Sequence, residues 1–159
     1  MPIRNPTDLK AELPAGARLM GLDLGTKTIG LALSDTRLTI ASPLKTLPRG
    51  KLKDDAAALF ALMREHRIGG LVLGLPINMD GSEGPRAQST RAFARNVLNI
   101  EDVNIAFWDE RLSTAAVTRG MLEADLSRKR RDEIVDKAAA AYILQGLLDR
   151  LAYAARQTS

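Results

Sequence analysis

The sequence contains no cysteine and a single histidine, His66. Disulfides, thiolate metal sites and cysteine nucleophiles are therefore excluded, as are metal sites built from several histidines. A Ser-His-Asp triad would have to be built on that one ring. Aromatic residues make up 4% of the chain, so stacking platforms for unpaired bases are few. No apolar stretch approaches the ~18 residues that span a bilayer. The opening "MPIRNPTDLKAELPAGAR" has early prolines and mixed charges but no hydrophobic run. It does not read as a secretory signal, and a cytoplasmic location without membrane contact is expected.

What remains for chemistry is carboxylates and basic side chains. The 159 residues, 45% hydrophobic and 26% charged, suit one globular domain with a proper core. They can hold one sheet with helices on its faces, but not two full α/β lobes. The formal net charge of +4 and the pI near 9.7 hint at a polyanionic partner.

Residues 1–17 read as a flexible tail and 18–156 as a single domain. Arg18 to Leu24 is an apolar strand, and "TIGLALSD" is a second strand joined to it by a short glycine-containing turn. "LTIASPLKTL" is a third, with Pro43 pointing to an edge or a bulge. "LKDDAAALFALMREHR" carries Leu59, Leu62 and Met63 at helical spacing. "GGLVLGLP" is a short continuous apolar strand, buried on both faces. A loop, "INMDGSEGPR", precedes a helix over "AQSTRAFARNVL". "VNIAFWDE" is another buried strand. "STAAVTRGMLEAD" reads as a helix with Ser113 or Thr114 as N-cap. "LSRKRR" is a basic connector, and a long helix follows from Asp132. The order β-β-β-α-β-α-β-α-α predicts an α/β fold with a five-stranded mixed sheet flanked by helices.

Two acids stand in apolar settings. Side chains alternate along the first strand, so Leu19, Gly21 and Asp23 share one face and Met20, Leu22 and Leu24 the other. In the last helix, Asp136 begins a row continued by Ala140, Ile143, Leu147 and Leu151, which is expected to face the core. Asp109 and Glu110 sit where a strand becomes a loop, a usual place for functional groups in α/β sheets. Being adjacent, they point to opposite faces, so one of them is expected at the site. Such acids, packed together, repel and take up protons unless something compensates them. A divalent cation does so, and an all-oxygen donor set suits Mg²⁺ or Mn²⁺. Two such ions ~4 Å apart activate a water and stabilise a leaving oxygen in phosphodiester hydrolysis. Each acid also has an ordinary reading. Asp23 can pair with Lys27, Asp136 with a lysine or arginine, and Glu110 with Arg111, and a strand-end acid can simply be solvated.

"GLDLGTKTIGLALSD", "LVLGLPINMDGSEGPRAQ", "WDERLST" and "DKAAAAYILQGLLD" resemble, in order and spacing, the successive signatures of the YqgF (RuvX) family of pre-16S ribosomal RNA nucleases. The similarity covers roughly residues 18–150. It implies a ribonuclease-H-like fold akin to the RuvC Holliday-junction resolvases, and a metal-dependent nuclease acting in ribosomal RNA maturation. Carried onto this chain, the catalytic and metal-binding acids are Asp23, Asp136 and one of Asp109 and Glu110, with Glu110 favoured. Lys27 matches the basic position of the family's glycine-rich turn. "LPINMDGSEGPR" matches a long loop whose glycines let it lie close to a substrate backbone.

Arg128, Lys129, Arg130 and Arg131 precede Asp136 closely enough to flank the acids. They suit a phosphodiester chain, because phosphate neutralisation dominates nucleic-acid affinity. Arg86, Arg91 and Arg95 are candidates for a second wall. Phe107 and Trp108 belong to the core, which tilts recognition towards backbone and shape. His66, near a helix C-terminus, reads as structural. The expected partner is structured RNA, pre-16S rRNA or ribosome precursors. A Holliday-junction DNA resolvase would share the fold and acids but, cutting two strands symmetrically, favours a homodimer. A non-catalytic RNA-binding assembly factor needs only the basic run. An ATPase of the actin and hexokinase type would share "DLGTKTIG" but binds nucleotide between two lobes, and this length holds one.

Overall fold

The computed structural model describes residues 3–4, 6–112 and 128–158, with side chains for 8–11, 13–111 and 137–156. In chain order these form β1 (Ile3–Arg4), β2 (Arg18–Leu24), β3 (Thr28–Ser34), β4 (Ala41–Pro48), α1 (Leu52–Glu65), β5 (Ile68–Leu75), α2 (Pro85–Ile100), β6 (Ile105–Asp109) and α3 (Arg128–Thr158). The helix expected over 113–125, with its N-cap, lies outside the described residues. α3 begins four residues earlier than expected, so the run 128–131 belongs to its first turn and not to a connector.

The sheet order is β1-β6-β5-β2-β3-β4. β2, β3 and β4 form the expected antiparallel meander; β5 enters parallel beside β2, and β6 parallel beside β5, through crossovers. Pro43 lies in β4, the edge strand, where the register shifts opposite Leu31 and Ala32. A proline offers no ladder donor, and an edge beside a bulge tolerates that.

Alternation along β2 splits the core into two layers. Met20, Leu22 and Leu24 join Leu59, Phe60 and Phe93 under α1 and α2. Leu19 joins Val72, Ala106, Trp108 and the α3 row Ala140, Ile143, Leu147 and Leu151 on the other face. Phe107 packs against the first layer. His66 is the C-cap of α1, its N–H donating to Leu62 O at 3.0 Å.

The segment before Arg18, read above as a loose tail, contributes to the fold. Ile3–Arg4 adds a sixth, two-residue strand beside β6, and Pro6–Glu12 winds into a 3₁₀ helix. Leu9 is fully buried in the α3-side layer, and Leu13 packs on it. Both lie over Gly69 and Gly70, where an added Cβ would meet Leu13 Cδ2 at 2.9 Å and Leu9 Cδ1 at 3.2 Å, respectively. Two leucines four residues apart are a weak signal in a sequence; the bare start of β5 is what gives them a seat.

The β3–β4 connection is organised by Asp35. Its carboxylate accepts the Thr39 N–H at 2.7 Å, the Thr39 hydroxyl at 2.6 Å and the Ile40 N–H at 3.1 Å. These bonds, the Thr39 hydroxyl foremost, lower its pKa from the ordinary 3.8 to about 2. The folded value lies below the unfolded one, so the contribution is present above the unfolded value and is lost as pH falls through the folded one. Discounted for solvent, Asp35→Ala is expected to cost ~1 kcal/mol at neutral pH. Urea unfolding at descending pH should show the gap from wild type narrowing below about pH 4. A gap that stays constant with pH would mean the carboxylate's charge plays no part.

Candidate functional site

Asp23 stands one residue before the end of β2, flanked by β3 and β5. It is 2% exposed. Its face looks towards α3: two residues earlier, a Cβ on Gly21 would lie 2.8 Å from both Ala140 O and Leu144 Cβ. Glycine at 21 is required by this close approach of helix to sheet. On the flanking strands, Gly30 pairs with Asp23, and Gly74 follows Leu73, the partner of Leu22. Bare backbone therefore stands on both sides of the carboxylate.

The structure separates the two adjacent acids at the end of β6. Glu110 is 5% exposed, and its carboxyl carbon lies 3.4 Å from where a Gly74 Cβ would stand, on the α3 side. Asp109 is tied to Arg111: Nη2 to Oδ2 at 2.7 Å, Nε to both oxygens at 3.0 and 3.1 Å, and the Arg111 N–H at 2.9 Å. That pair lowers the Asp109 pKa through the Arg111 hydrogen bonds. Arg111 also reaches Asn78 O at 3.5 Å. So Glu110 shares a face with Asp23, while Asp109 closes a local ion pair.

α3 runs antiparallel to β2. Gln145 Oε1 accepts the Ala41 N–H at 2.8 Å, at the level where β2 begins. Ala138 and Tyr142 line a groove with Pro43, one step nearer the end of β2. Asp136, one turn before Ala140, thus lies at the Asp23 end of the sheet. Its side chain, and those of Arg128, Lys129, Arg130 and Arg131, lie outside the described residues. Among the described residues no three acidic or histidine side chains gather as a metal group. Among the described residues, Asp23 and Glu110 are the two buried carboxylates on the α3 face.

Among the described residues, the cation beside Asp23 is Arg86 and not Lys27. Arg86 Nη2 lies 3.9 Å from Asp23 Oδ1 and donates to Leu24 O at 3.1 Å. Lys27 is exposed in the Gly25–Lys27 turn, which Gly25 N–H closes on Thr28 O at 2.8 Å. Of the other two arginines of α2, Arg91 is engaged by Glu83 at 2.6 and 2.8 Å and lies over the Phe107 ring at 5.0 Å; Arg95 is exposed further along the helix. Arg91 therefore does not offer a free cation to a second wall.

Sequence reasoning missed Arg49. Nothing near "LPRG" marks it, because its place depends on β4 ending beside the start of β3. Its Nη1 donates to Gly25 O at 2.7 Å and its Nη2 to Ser89 Oγ at 2.9 Å. The loop between β5 and α2 is closed by Asn78 N–H to Ser82 O at 2.9 Å and by the Asp80 carboxylate, which accepts the Ser82 hydroxyl at 2.6 Å. Gly81 supplies its positive φ of 89°. Met79, in the same loop, is 88% exposed.

The architecture is that of the RuvC resolvases, a ribonuclease-H-like fold. RuvC of Thermus thermophilus in complex with Holliday junction substrate aligns over 90% of this chain and 97% of its own, at 13% identity and a TM-score of 0.56. The same organism's RuvC in a second structure aligns over 86% and 97%, at 11% identity and a TM-score of 0.50. The RuvX family model, described as Holliday junction resolvase, matches residues 17–150, and the chain belongs to that family. A relative from Paramagnetospirillum magneticum is 62% identical over 149 residues, 94% of this chain and 96% of its own. One from Rhodobacter capsulatus is also 62% identical over 149 residues, 94% of each. Both bear the name "Putative pre-16S rRNA nuclease".

Proposed function

We propose that the protein is a metal-dependent endonuclease that hydrolyses phosphodiester bonds of structured RNA, in maturation of the 5′ end of pre-16S ribosomal RNA. The observation that carries this reading is the pair of buried carboxylates, Asp23 and Glu110, on one face of the sheet at the end where α3 begins. The names of its close relatives support the substrate, and such a substrate puts the work in the cytoplasm. No helix among the described residues is long and apolar enough to cross a membrane.

The donor set fits a hard divalent cation. It consists of carboxylate oxygens beside bare glycine backbone, the environment suited to Mg²⁺ or Mn²⁺. Asp23, Glu110 and Asp136 would hold the metal. Bound there, two such ions would supply an activated water and charge stabilisation of the leaving oxygen. The chain's own groups do the rest. Burial keeps the Asp23 carboxylate fixed on a strand paired along both edges. Arg86, anchored on Leu24 O, holds a guanidinium beside it. Asp109 is drawn away by Arg111 and serves to shape the end of β6. Lys27 and the run Arg128, Lys129, Arg130 and Arg131 are assigned to the substrate backbone. With few aromatics to stack on bases, recognition falls to phosphates and shape.

The test is Mg²⁺- or Mn²⁺-dependent cleavage of a precursor 16S RNA fragment and of a four-way DNA junction, by wild type and Asp23→Asn. Cleavage of the RNA alone supports the reading. The family's description favours the junction as the second substrate, and cleavage of that alone, by a homodimer, would replace the RNA. Binding of RNA without cleavage of either would make this an assembly factor. Replacing Arg128, Lys129, Arg130 and Arg131 with alanine is expected to weaken RNA binding across sequences alike. Each lost phosphate contact should lower the slope of log affinity against log salt by roughly one unit or less. An unchanged slope and affinity would mark the run as solvated surface.

A further inference from the structure

Among the described residues, the cations around the Gly25–Lys27 turn outnumber the carboxylates that meet them. Arg49, Arg86, Ser89, Gly25 and Thr26 line a cleft of about 220 Å³. It lies across the end of β2 from Asp23, because Arg86 lines the cleft and also approaches Asp23 Oδ1 at 3.9 Å. Arg49 is held from both sides by neutral acceptors, Gly25 O at 2.7 Å and Ser89 Oγ at 2.9 Å, with the Phe93 ring at 5.9 Å beneath it. Its backbone N–H donates to Lys27 O at 2.8 Å. The acids nearby are otherwise engaged. Glu83 binds Arg91, and Asp55 accepts the Gly50 N–H through both oxygens at 3.1 Å. A guanidinium fixed by carbonyl and hydroxyl partners keeps its full positive charge and its remaining N–H donors for an anion.

We infer that Arg49 and Arg86 together form a phosphate subsite, taking a backbone phosphate of the nucleic-acid strand next to the one that is cut. The inference rests on the nuclease reading above and adds to it a residue that sets where the strand lies. Arg86 spans the two positions: one side faces Asp23 and the other the cleft. Arg49 fixes the far wall and connects the turn, through Ser89, to α2. A strand seated on both guanidiniums presents its neighbouring phosphate at the carboxylate end of β2. Since this contact is made equally in ground and transition states, its loss should raise KM and leave kcat nearly unchanged.

The test compares Arg49→Gln with Arg49→Lys. The probe is a labelled hairpin RNA with a single-stranded extension. Binding is measured by salt titration in an Asp23→Asn background, and cleavage kinetics in the otherwise native enzyme. Arg49→Gln keeps a donor for Gly25 O but loses the charge, and is expected to lower the salt slope by about one unit or less and to raise KM about tenfold. Arg49→Lys keeps the charge and is expected to restore most of the slope. Melting temperature is followed in both. Equal losses of melting temperature and affinity in the two variants, with the slope unchanged, would make Arg49 a strut between turn and helix and overturn the subsite. An unaltered affinity and slope in Arg49→Gln would overturn it as well. The nuclease reading fails separately, through Asp23→Asn retaining cleavage, and the binding arm reads Arg49 regardless of that outcome.

Discussion

Asp23→Asn is expected to lower metal-dependent cleavage by a factor of roughly a thousand or more, the loss of several kcal/mol of charge stabilisation at the transition state. The substitution is nearly isosteric, so the packing of β2 against α3 is unchanged. It removes a negative charge where the proposed metal would sit and leaves an amide that is a much poorer ligand. It also releases Arg86, whose guanidinium stands 3.9 Å away, so RNA affinity should hold or rise slightly as repulsion on the phosphates falls. The measurement is single-turnover cleavage under saturating Mn²⁺, with melting temperature and RNA binding recorded on the same samples. Turnover at the wild-type rate would remove Asp23 from the metal site, and a collapse of the melting temperature would instead make it a structural partner of Arg86.

Gly21→Val should damage the fold severely. A Cβ at this position would lie 2.8 Å from the Ala140 carbonyl oxygen and from Leu144 Cβ. Both belong to or sit directly on the helix backbone, so no side-chain rotation can relieve the clash and α3 itself must lift. Overpacking of this kind costs about 3 kcal/mol. Valine's preference for strands offsets only a fraction of that. The lift also carries the start of α3, with Asp136, away from the Asp23 end of the sheet. Cleavage should therefore fall further than the folded fraction does. Urea unfolding gives the stability, and cleavage assayed well below the transition gives the activity of what remains folded. If both stay at wild-type values, α3 does not depend on the bare backbone at Gly21.

Most of the sheet was legible because the apolar runs of β2, β5 and β6 are strong local signals, and Pro43 announces its edge. The part played by residues before Arg18 was not, since Leu9 and Leu13 become core only through the glycines of a strand sixty residues on. For the site, the shared face of Leu19, Gly21 and Asp23 follows from pleat geometry alone. The divergence of Asp109 and Glu110 follows from pleating in kind but not in direction. Glu110 continues the row of Ala106 and Trp108 that faces α3, and which face of β6 meets α3 is set by the packing of the whole sheet. Arg49 carries no motif, and its neighbours Gly25 and Ser89 come from opposite sides of it in sequence, brought together by the meander and α2. The role of Asp136 rests on its position in the α3 row and on the resemblance.

The central placement of β2 also divides the site by how readily its parts open. β2 is hydrogen-bonded on both edges and covered on both faces. Its amides should exchange with solvent only when the whole domain unfolds, so the carboxylate at its end is held in a single state between rare global openings. Arg49 follows β4, the edge strand with one neighbour, and Lys27 sits in an exposed turn. Lys27 can move with its turn, and Arg49 can exchange its bonds to Gly25 O and Ser89 Oγ for a phosphate at the modest energy of local fraying. On the proposed reading, a strand of nucleic acid would be admitted and let go by motion on the cationic side alone, while the acid it is to meet stays still.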